Sequence, residues 1–494
     1  MEKICCQDFY CLKKNKIMVL TVTDNEAMVL LPQSIDFDYL KDKGNESIEN
    51  FNLNNLKFII SSIILKSVFP NVKENVAQYE KESRISSKYW FKFLQKDYPK
   101  YINLLINEKI VFRKSYSERR CFGYAFYKPY QFSRVYAEVI YFEKYQLKIK
   151  IKYKNSYTKK YERSLSNFFV KYDFSIDTEK VEKEIFDRYF ETANYPLKIS
   201  HGEPISKDLS AYSSYLLAMK KMVEFMNGEY SFSRYSKKLK DDGTGKKKYK
   251  TAGRYYNSYA LLNKEIRKNL IYKGEKLIEI DIKNCVPYLL SNYFKTINPR
   301  FSRVRLERIS KSFSFHNMYS ESPKTLMNKE IGEFNFLCIE GKIYDLFIEP
   351  LKNLFGDEWK IQFKKQFDIE YKNTYEHDRK LAKQFFISMI FGKISNYENI
   401  QVVFQSFFPI LHDLITTEKR HGYKKLSRKL FELEGDIMID NVAKPLIRIY
   451  KRKIPVFTIH DCIATTQPYM ETVKTMIESV CMERFRNIPK IEIE

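Results

Sequence analysis

The sequence predicts a mixed α/β (α+β) protein with more than one domain. The chain has 494 residues and is 44% hydrophobic, enough for two or three cores, because single cores rarely grow beyond ~250–300 residues. In the second half, a short apolar strand runs into a helix within 276–294, an amphipathic helix occupies 378–393, and two short strands flank a turn within 454–468. Strand and helix signals thus alternate along this half of the chain.

The charge balance favours a polyanionic partner. Lysine and arginine number 86 against 61 aspartate and glutamate, which gives a formal net charge of +25. Such an excess either repels itself or meets a negatively charged partner, and nucleic acid is the leading candidate. A basic surface without a dedicated partner and a protein bound at a membrane surface are the alternatives.

The cysteines and the apolar runs predict a soluble cytoplasmic protein. The eight cysteines form no CxxC pair and no finger-like spacing with histidine, which is typical of reduced thiols. The best apolar run, 58–65, is far shorter than the ~20 residues that a bilayer-spanning helix needs. We therefore expect no membrane partner, and the oligomeric state is left open.

Residues 1–200 carry no defensible motif and are predicted to form an accessory domain of unknown role. Alternating apolar and polar residues in 134–153 predict a hairpin or a small sheet. An Asp-Phe-Asp sequence at 36–38 weakly suggests a nuclease-type carboxylate pair, although this pattern is frequent by chance.

The next segment, 201–275, is predicted to combine helices with a basic loop. The apolar spacing is helical in 205–226, and 257–270 is predicted to be a helix or partial helix. Between them, 237–254 holds eight lysines or arginines and three glycines, which indicates a flexible loop able to neutralise phosphates. A merely solvated loop is the alternative. The lysines that we expect to contact nucleic acid are Lys246, Lys247, Lys248 and Lys250.

The first segment that suggests chemistry contains Asp281. Apolar residues on both sides of it, in 277–282, predict a short strand, and Pro287 allows a helix to start around Val286. Asp281 then lies near a strand end, where its carboxylate can reach solvent. An aspartate of an edge strand held in a salt bridge is the alternative.

The second segment is a helix that ends at Gly392. Four residues recur every four positions and share one face, while the opposite face, Phe385, Phe386, Met389 and Ile390, packs into the core. Those four are Arg379, Lys383, Ile387 and Phe391. Such a face can hold a triphosphate at one end and a base at the other. An ordinary amphipathic surface helix is the alternative.

The third segment carries His460 and Asp461 at the tip of a tight turn between two strands. A carboxylate here and one at Asp281 could together bind two divalent ions about 3.5–4 Å apart, activating a 3′ hydroxyl and stabilising a leaving pyrophosphate. His460 can equally be a structural turn residue, and we assign it no proton chemistry.

These segments resemble motifs A, B and C of the family A DNA polymerases and of the related single-subunit RNA polymerases of phages and mitochondria. Asp281 matches the first metal-binding aspartate, with Asn284 where the DNA polymerases usually have glutamine. The residues at 379, 383, 387, 391 and 392 match the fingers-helix pattern in register, and His460-Asp461 matches the HD of motif C. Gly253-Arg254 resembles the GR that opens the palm, and 433–439 weakly resembles the palm helix between motifs B and C.

The resemblance covers roughly 250–494 and implies a right-hand polymerase fold. Residues 276–494 would form the palm and helical fingers, and 201–275 would supply thumb-like helices. Asp281 and Asp461 would bind two Mg²⁺ ions, with Mn²⁺ as a substitute. Arg379 and Lys383 would neutralise the triphosphate of a nucleoside triphosphate, with Phe391 near the nascent base pair, and Arg254 and His460 would face a primer-template.

Departures from the family pattern leave the sugar open. Val286 stands where the DNA polymerases carry a glutamate that screens the ribose 2′ hydroxyl, and Cys462 replaces an acidic residue. Both are closer to the RNA branch, as is Ile387, yet the chain is shorter than most single-subunit RNA polymerases. DNA synthesis is slightly favoured over RNA synthesis. The sequence also leaves open a template-independent or protein-primed transferase, a non-catalytic nucleic-acid-binding homologue and a nuclease within 1–200.

Overall fold

A computed structural model describes residues 19–67, 83–114, 122–142, 150–154, 156–190, 206–238, 249–297, 323–367, 370–420 and 422–494. The fold is mixed α/β, and nearly all strand pairs in the described part are antiparallel. The strands are β1 (Val19–Thr21), β2 (Glu26–Pro32), β3 (Ser83–Arg84), β4 (Val111–Lys114), β5 (Gly123–Phe126), β6 (Val135–Tyr141), β7 (Lys150–Tyr153), β8 (Phe174–Asp177), β9 (Glu229–Lys238), β10 (Tyr249–Asn257), β11 (Leu270–Tyr272), β12 (Glu275–Ile282), β13 (Phe457–Ile459), β14 (Cys462–Thr466) and β15 (Ile491–Ile493).

Helices separate most of these strands, and none that the structure describes combines the length and apolar character needed to cross a bilayer. A π-helical segment, Asp436–Ala443, follows one of them. The α-helices are α1 (Phe37–Ser47), α2 (Leu53–Ser67), α3 (Ser87–Leu94), α4 (Tyr98–Asn107), α5 (Lys128–Gln131), α6 (Ser156–Tyr161), α7 (Thr178–Phe190), α8 (Ser206–Met226), α9 (Lys264–Lys268), α10 (Cys285–Ile297), α11 (Pro323–Ile339), α12 (Ile348–Phe355), α13 (Glu358–Phe367), α14 (Tyr375–Phe391), α15 (Glu398–Phe407), α16 (Pro409–Arg420), α17 (Lys424–Gly435), α18 (Lys444–Ile449) and α19 (Met470–Phe485).

The largest sheet has the order β1-β8-β11-β12-β14-β13, and β15 also pairs with β12. Its apolar residues alternate with polar ones along β12, so that Ile280 and Ile282 are buried, and α19 packs against β12 and β14. Strands β1 and β8 come from the predicted accessory domain 1–200 and complete this sheet through the pairing of β8 with β11. A boundary at residue 200 would therefore cut through the sheet.

Of the hairpin or small sheet predicted in 134–153, the hairpin is wrong, whereas strands on both sides are confirmed and belong to two different small sheets. Strand β6 pairs with β2, whereas β7 pairs in parallel with β9 in a separate sheet of order β10-β9-β7. Alternation identifies a half-buried strand but carries no information about its partner. The strands that pair with β6 and β7 are distant from them in sequence.

The nuclease-type carboxylate pair suggested at 36–38 is not supported by the structure. Asp36 is the N-cap of α1, where its carboxylate accepts hydrogen bonds from the backbone N–H groups of Asp38 and Tyr39, so it stabilises a helix end and gives no support to a nuclease-type pair. Of the helix or partial helix predicted in 257–270, the partial helix is confirmed as α9, because Leu270 already starts β11. The helix predicted in 205–226 is confirmed as α8.

A buried arginine of the three-stranded sheet joins several elements of the fold. The side chain of Arg234 on β9 is only 1% exposed and pairs with Glu162 at 3.0 Å and with Asp440 at 2.8 Å. Its guanidinium also donates to the carbonyl oxygens of Gly253 and Gly435. Removing one partner of such a buried network leaves an uncompensated charge and is strongly destabilising.

The end of α17 lies against β10 so closely that only glycine fits. A Cβ at Gly435 would be 2.3 Å from the carbonyl oxygen of Gly253, which itself has a φ of +75°. This approach brings the carbonyls of both glycines within reach of Arg234.

We predict that Gly435→Ala destabilises the protein by about 1–3 kcal/mol, the usual cost of forcing atoms into a filled space. The matched control is Gly332→Ala within α11, where a Cβ would meet nothing within 4 Å. That control should stabilise by up to about 1 kcal/mol, because alanine is the better helix former. Urea unfolding of both variants measures the difference. Equal effects would show that Gly435 does not approach Gly253 closely.

Candidate active site

Asp281 lies near the end of β12, between two neighbouring strands. In the antiparallel registers it is directly opposite Cys462 of β14 and Glu492 of β15. Directly opposed residues of antiparallel strands share one face. The predicted position of Asp281 near a strand end is confirmed, and a second carboxylate, that of Glu492, lies on the same face.

Asp461 lies next to Asp281 because of the turn that precedes β14. Strands β13 and β14 pair around His460 and Asp461, and His460 adopts a left-handed backbone with φ of 57°. The backbone N–H of Ile282 donates to the carbonyl oxygen of Asp461 at 3.3 Å. The predicted hairpin is confirmed, and the structure brings together the two acids that the sequence separates.

Both aspartates hold protons more tightly than usual. Burial, followed by the nearby charge of Asp461, raises the pKa of Asp281 from an ordinary 3.8 to about 8, and Lys383 opposes this shift. Burial also raises the pKa of Asp461, opposed by Arg254 and Lys383. Two carboxylates that repel each other in a partly desolvated place favour a bound cation.

The other carboxylates around this pair each have a basic partner. Glu279 pairs with Arg267 at 2.7 Å, and Glu434 pairs with Arg254 at 2.8 Å. The two carboxylates of the β15 segment are neutralised in the same way, Glu492 by Lys283 and Glu494 by Lys264. Within the described ranges, neither Asp281 nor Asp461 forms a salt bridge. Asp281 and Asp461 are thus the two carboxylates of this group that lack a basic partner within the described ranges.

Helix α14 faces this pair. Its predicted end at Gly392 and its buried face of Phe385, Phe386, Met389 and Ile390 are confirmed, and the helix begins three residues earlier than predicted, at Tyr375. Lys383 is exposed, lies close enough to lower the pKa values of both aspartates, and forms no ion pair with any residue that the structure describes. Lys383 is therefore the free cation opposite the two free carboxylates.

Arg379, one turn earlier on α14, is already engaged. Its Nε donates to a carboxylate oxygen of Asp345 at 3.0 Å, and its Nη2 donates to the carbonyl of Gly341 at 3.1 Å. The guanidinium carbon of Arg379 also lies 5.4 Å from the ring centroid of Tyr344. The ammonium of Lys383 lies 5.9 Å from the same centroid. Arg379 is thus bonded to protein groups, whereas Lys383 has no ion-pair partner among the described residues.

The remaining residues of α14 lead towards α17. Ile387 and Phe391 are half-buried, and the Phe391 ring lies 5.3 Å from that of Phe431 in an edge-on arrangement. Phe431 in turn lies 4.0 Å below the guanidinium carbon of Arg254. Phe391 and Arg254 therefore both pack against the ring of Phe431.

Arg254 is held by Glu434 through two hydrogen bonds of 2.8 Å. Burial raises the pKa of Glu434 to about 7, and Arg254 opposes the shift. Burial, together with Arg254 and Arg267, lowers the pKa of His460 to about 4. His460 is therefore neutral at pH 7, and its ring lies 5.1 Å from that of Tyr256.

Asn284 and Val286 follow Asp281 at the start of α10. Asn284 is buried with φ of 55°, and its side-chain amide donates to the carbonyl of Cys338 at 3.3 Å. Val286 is half-buried in the first turn of the helix. The predicted strand-to-helix transition is confirmed, with the helix starting one residue before Val286.

The predicted basic loop can be described only at its edges. Lys246, Lys247 and Lys248 lie outside the described residues. The backbone of Lys250 belongs to β10, opposite Lys237 of β9. Its contact with nucleic acid stays a prediction.

Sequence reasoning missed the residues that neutralise the surroundings of the pair. Glu434 lies in a segment whose helical character was predicted, but no local pattern identifies Arg254 as its partner. Glu492 had a detectable signal, since the alternation Ile-Glu-Ile at 491–493 is typical of a strand with one polar face.

The donor set fits a cation that shares its coordination with a substrate. Within the described ranges, His, Cys, Asp and Glu form no group of three or more that could hold a metal ion. Mg²⁺ typically uses one or two protein carboxylates and completes its octahedral shell with water and substrate phosphates. Asp281 and Asp461 match that requirement.

Comparison with solved structures adds a distant likeness. No protein-family profile and no curated protein matches the chain. Among solved structures, it is similar to the POL domain of Pol1 from M. smegmatis in complex with DNA primer-template and dNTP, with a TM-score of 0.23 and 9% identity. The match covers 67% of this chain and 65% of the Pol1 chain. At this TM-score any functional assignment rests on the chain's own residues.

The coupled aspartates predict an unusual pH dependence. Because the pKa of Asp281 is about 8 in the folded chain and lower in the unfolded one, the wild type should lose stability as pH rises from about 4 to about 8. Asp281→Asn has no such proton to lose. Its melting temperature, relative to wild type and without divalent ions, should therefore rise between about pH 5 and about pH 8.

Asp357 is exposed, so Asp357→Asn is the control for removal of one negative charge. Its melting temperature relative to wild type should not rise over this pH range. Adding Mg²⁺ should restore the stability of the wild type at the higher pH and leave Asp281→Asn unchanged. Parallel melting profiles for wild type and Asp281→Asn would contradict the coupling of the two carboxylates.

Proposed function

We propose that this chain is a nucleotidyltransferase of the template-directed polymerase type, adding nucleotides from nucleoside triphosphates to a 3′ hydroxyl. One observation carries the proposal. Asp281 and Asp461 are adjacent and unneutralised, and Lys383 faces them without an ion-pair partner in the described part of the chain. Two carboxylates for cations and one lysine for phosphate are the charges that nucleotidyl transfer requires.

In this proposal the charged residues and the apolar residues of the site have separate roles. Two Mg²⁺ ions, or Mn²⁺ in their place, would activate the 3′ hydroxyl and stabilise the leaving oxygen. Asp281 and Asp461 would hold the ions on one side, and Lys383 would stabilise the charge that grows on the leaving pyrophosphate. The half-buried Phe391 and Ile387 would form the apolar wall beside the incoming base.

The net charge of +25 supports a primer-template as the partner. Arg254 and His460 lie beside Asp461 and would face the nucleic acid, with Lys246, Lys247, Lys248 and Lys250 contacting phosphates further away. Palm, fingers and thumb would correspond to 276–494 and 201–275. DNA synthesis is slightly favoured, and RNA synthesis is the second candidate because Val286 offers no carboxylate against a 2′ hydroxyl.

The metal-site proposal predicts that catalysis and binding separate. Asp281→Asn and Asp461→Asn should each abolish incorporation, because each removes a ligand of the shared ions, while affinity for a primer-template stays nearly unchanged. Glu492→Gln, which removes a carboxylate already paired with Lys283, is the control and should keep activity. Primer extension with Mg²⁺ and fluorescence-anisotropy binding measure the two quantities. Robust extension by either asparagine variant would rule out the assignment.

The fingers-helix proposal predicts a catalytic lysine. Lys383→Ala should lower incorporation by about 10²-fold or more, as the loss of one charge-stabilising donor typically does, and should change duplex affinity only slightly. Lys380→Ala on the same helix is the control, because Lys380 is exposed and lies over the ring of Phe367. Steady-state kinetics and binding on one primer-template decide the point. Equal losses of affinity and incorporation would identify Lys383 as a backbone-binding residue.

A further inference from the structure

The guanidinium of Arg379 is enclosed by one short segment of the chain. Asp345 and the carbonyl of Gly341 accept its hydrogen bonds at 3.0 and 3.1 Å, and the buried ring of Tyr344 lies beneath it. Gly341 and Tyr344 lie in the turn between α11 and a 3-10 helix, Asp345–Phe347, and Asp345 begins that helix. Arg379 thus fixes α14 to 341–345.

The same turn also contacts the residues that follow Asp281. Gly341 has φ of +78°, and a Cβ built there would lie 3.0 Å from the side-chain carbon Cε of Lys283 and 3.8 Å from the amide nitrogen of Asn284. The side chains of Lys283 and Asn284 therefore lie over the Gly341 backbone. One turn of chain separates α14 from the end of β12.

We infer that Arg379 is a positioning residue, which sets the placement of α14, and therefore of Lys383, relative to Asp281 through Asp345 and Gly341. The inference rests on the proposed function, because it assigns Arg379 a task in the same site. It differs from the sequence-based expectation that Arg379 itself neutralises the triphosphate.

Electrostatics favours the positioning role. A phosphate that approached Arg379 would compete with the Asp345 carboxylate for the same donors, and the two negative groups would repel each other. Lys383 has no such competitor among the residues that the structure describes. The planar fork of arginine also suits the simultaneous bonds to Asp345 and Gly341, which a lysine ammonium would not reproduce.

The position of Lys383 depends on this connection. Tyr344 lies below both basic residues, at 5.4 Å from the guanidinium carbon of Arg379 and 5.9 Å from the ammonium of Lys383. Releasing Arg379 would remove its two hydrogen bonds between α14 and the 341–345 segment that contacts Lys283, and would leave the contact of Tyr375 with Asp345 in place. A displacement of about 1 Å at a catalytic group is enough to cost on the order of 10²-fold in rate.

A double-mutant cycle on the full chain tests the inference. Arg379→Ala and Asp345→Ala should each lower kcat for incorporation by about 10- to 10²-fold, with a smaller change in the KM for nucleotide. The double variant should be no slower than the slower single variant, since both remove the same connection. Arg379→Lys should not restore the rate, because lysine cannot form both bonds.

The opposite outcomes identify a triphosphate ligand. If Asp345→Ala leaves the rate unchanged or raises it, while Arg379→Ala mainly raises the KM for nucleotide and Arg379→Lys recovers part of the loss, the positioning role is overturned. The exposed pair Lys364–Glu370 supplies a control cycle, in which little coupling is expected.

Thermal unfolding of the same variants gives a readout that needs no substrate. The positioning role predicts that the double variant loses no more melting temperature than the less stable single variant. Additive losses would overturn it. If the wild type incorporates no nucleotide at all, the proposed function fails, while the unfolding cycle still decides whether Arg379 and Asp345 act as one unit.

Discussion

The pairing of β12 with β14 is the constraint on which the site depends. Its register sets Asp281 opposite Cys462, and the tight turn before β14 leaves Asp461 beside Asp281. Two carboxylates are then held together where solvent screens their charges poorly, so their pKa values are raised and ionising both costs stability. A bound cation would offset that cost, and this is the physical reason for the metal site that we propose.

Basic residues neutralise the other carboxylates around Asp281 and Asp461. Arg267, Lys283, Lys264 and Arg254 each neutralise one nearby glutamate, so the site does not become a diffuse acidic surface. Arg254 depends on α17, whose close approach to β10 requires Gly435. The buried Arg234 bonds to the carbonyls at both glycines and to Glu162 from the first 200 residues. The first half of the chain thus supports the site through a strand pairing and a buried ion pair.

Local features of the site were predictable from the sequence, whereas its long-range partners were not. Apolar periodicity correctly identified β12, α14 with its end at Gly392, and the turn at His460 and Asp461, because each depends on neighbours a few positions away. The partners of β6 and β7, the ion pair of Arg379 with Asp345 and that of Arg254 with Glu434 depend on residues distant in sequence. Side-chain type and spacing alone do not specify such pairings.

The central claim is that Asp281 and Asp461 form a divalent-cation site that is completed by a nucleotide. Its most direct test is Mn²⁺ binding in the presence of a nucleoside triphosphate, followed by electron paramagnetic resonance in wild type, Asp281→Asn, Asp461→Asn and Glu492→Gln. We predict that the two aspartate variants each lose the bound Mn²⁺, while Glu492→Gln keeps it because that carboxylate is already neutralised by Lys283. Equal Mn²⁺ binding by all four proteins would contradict the claim.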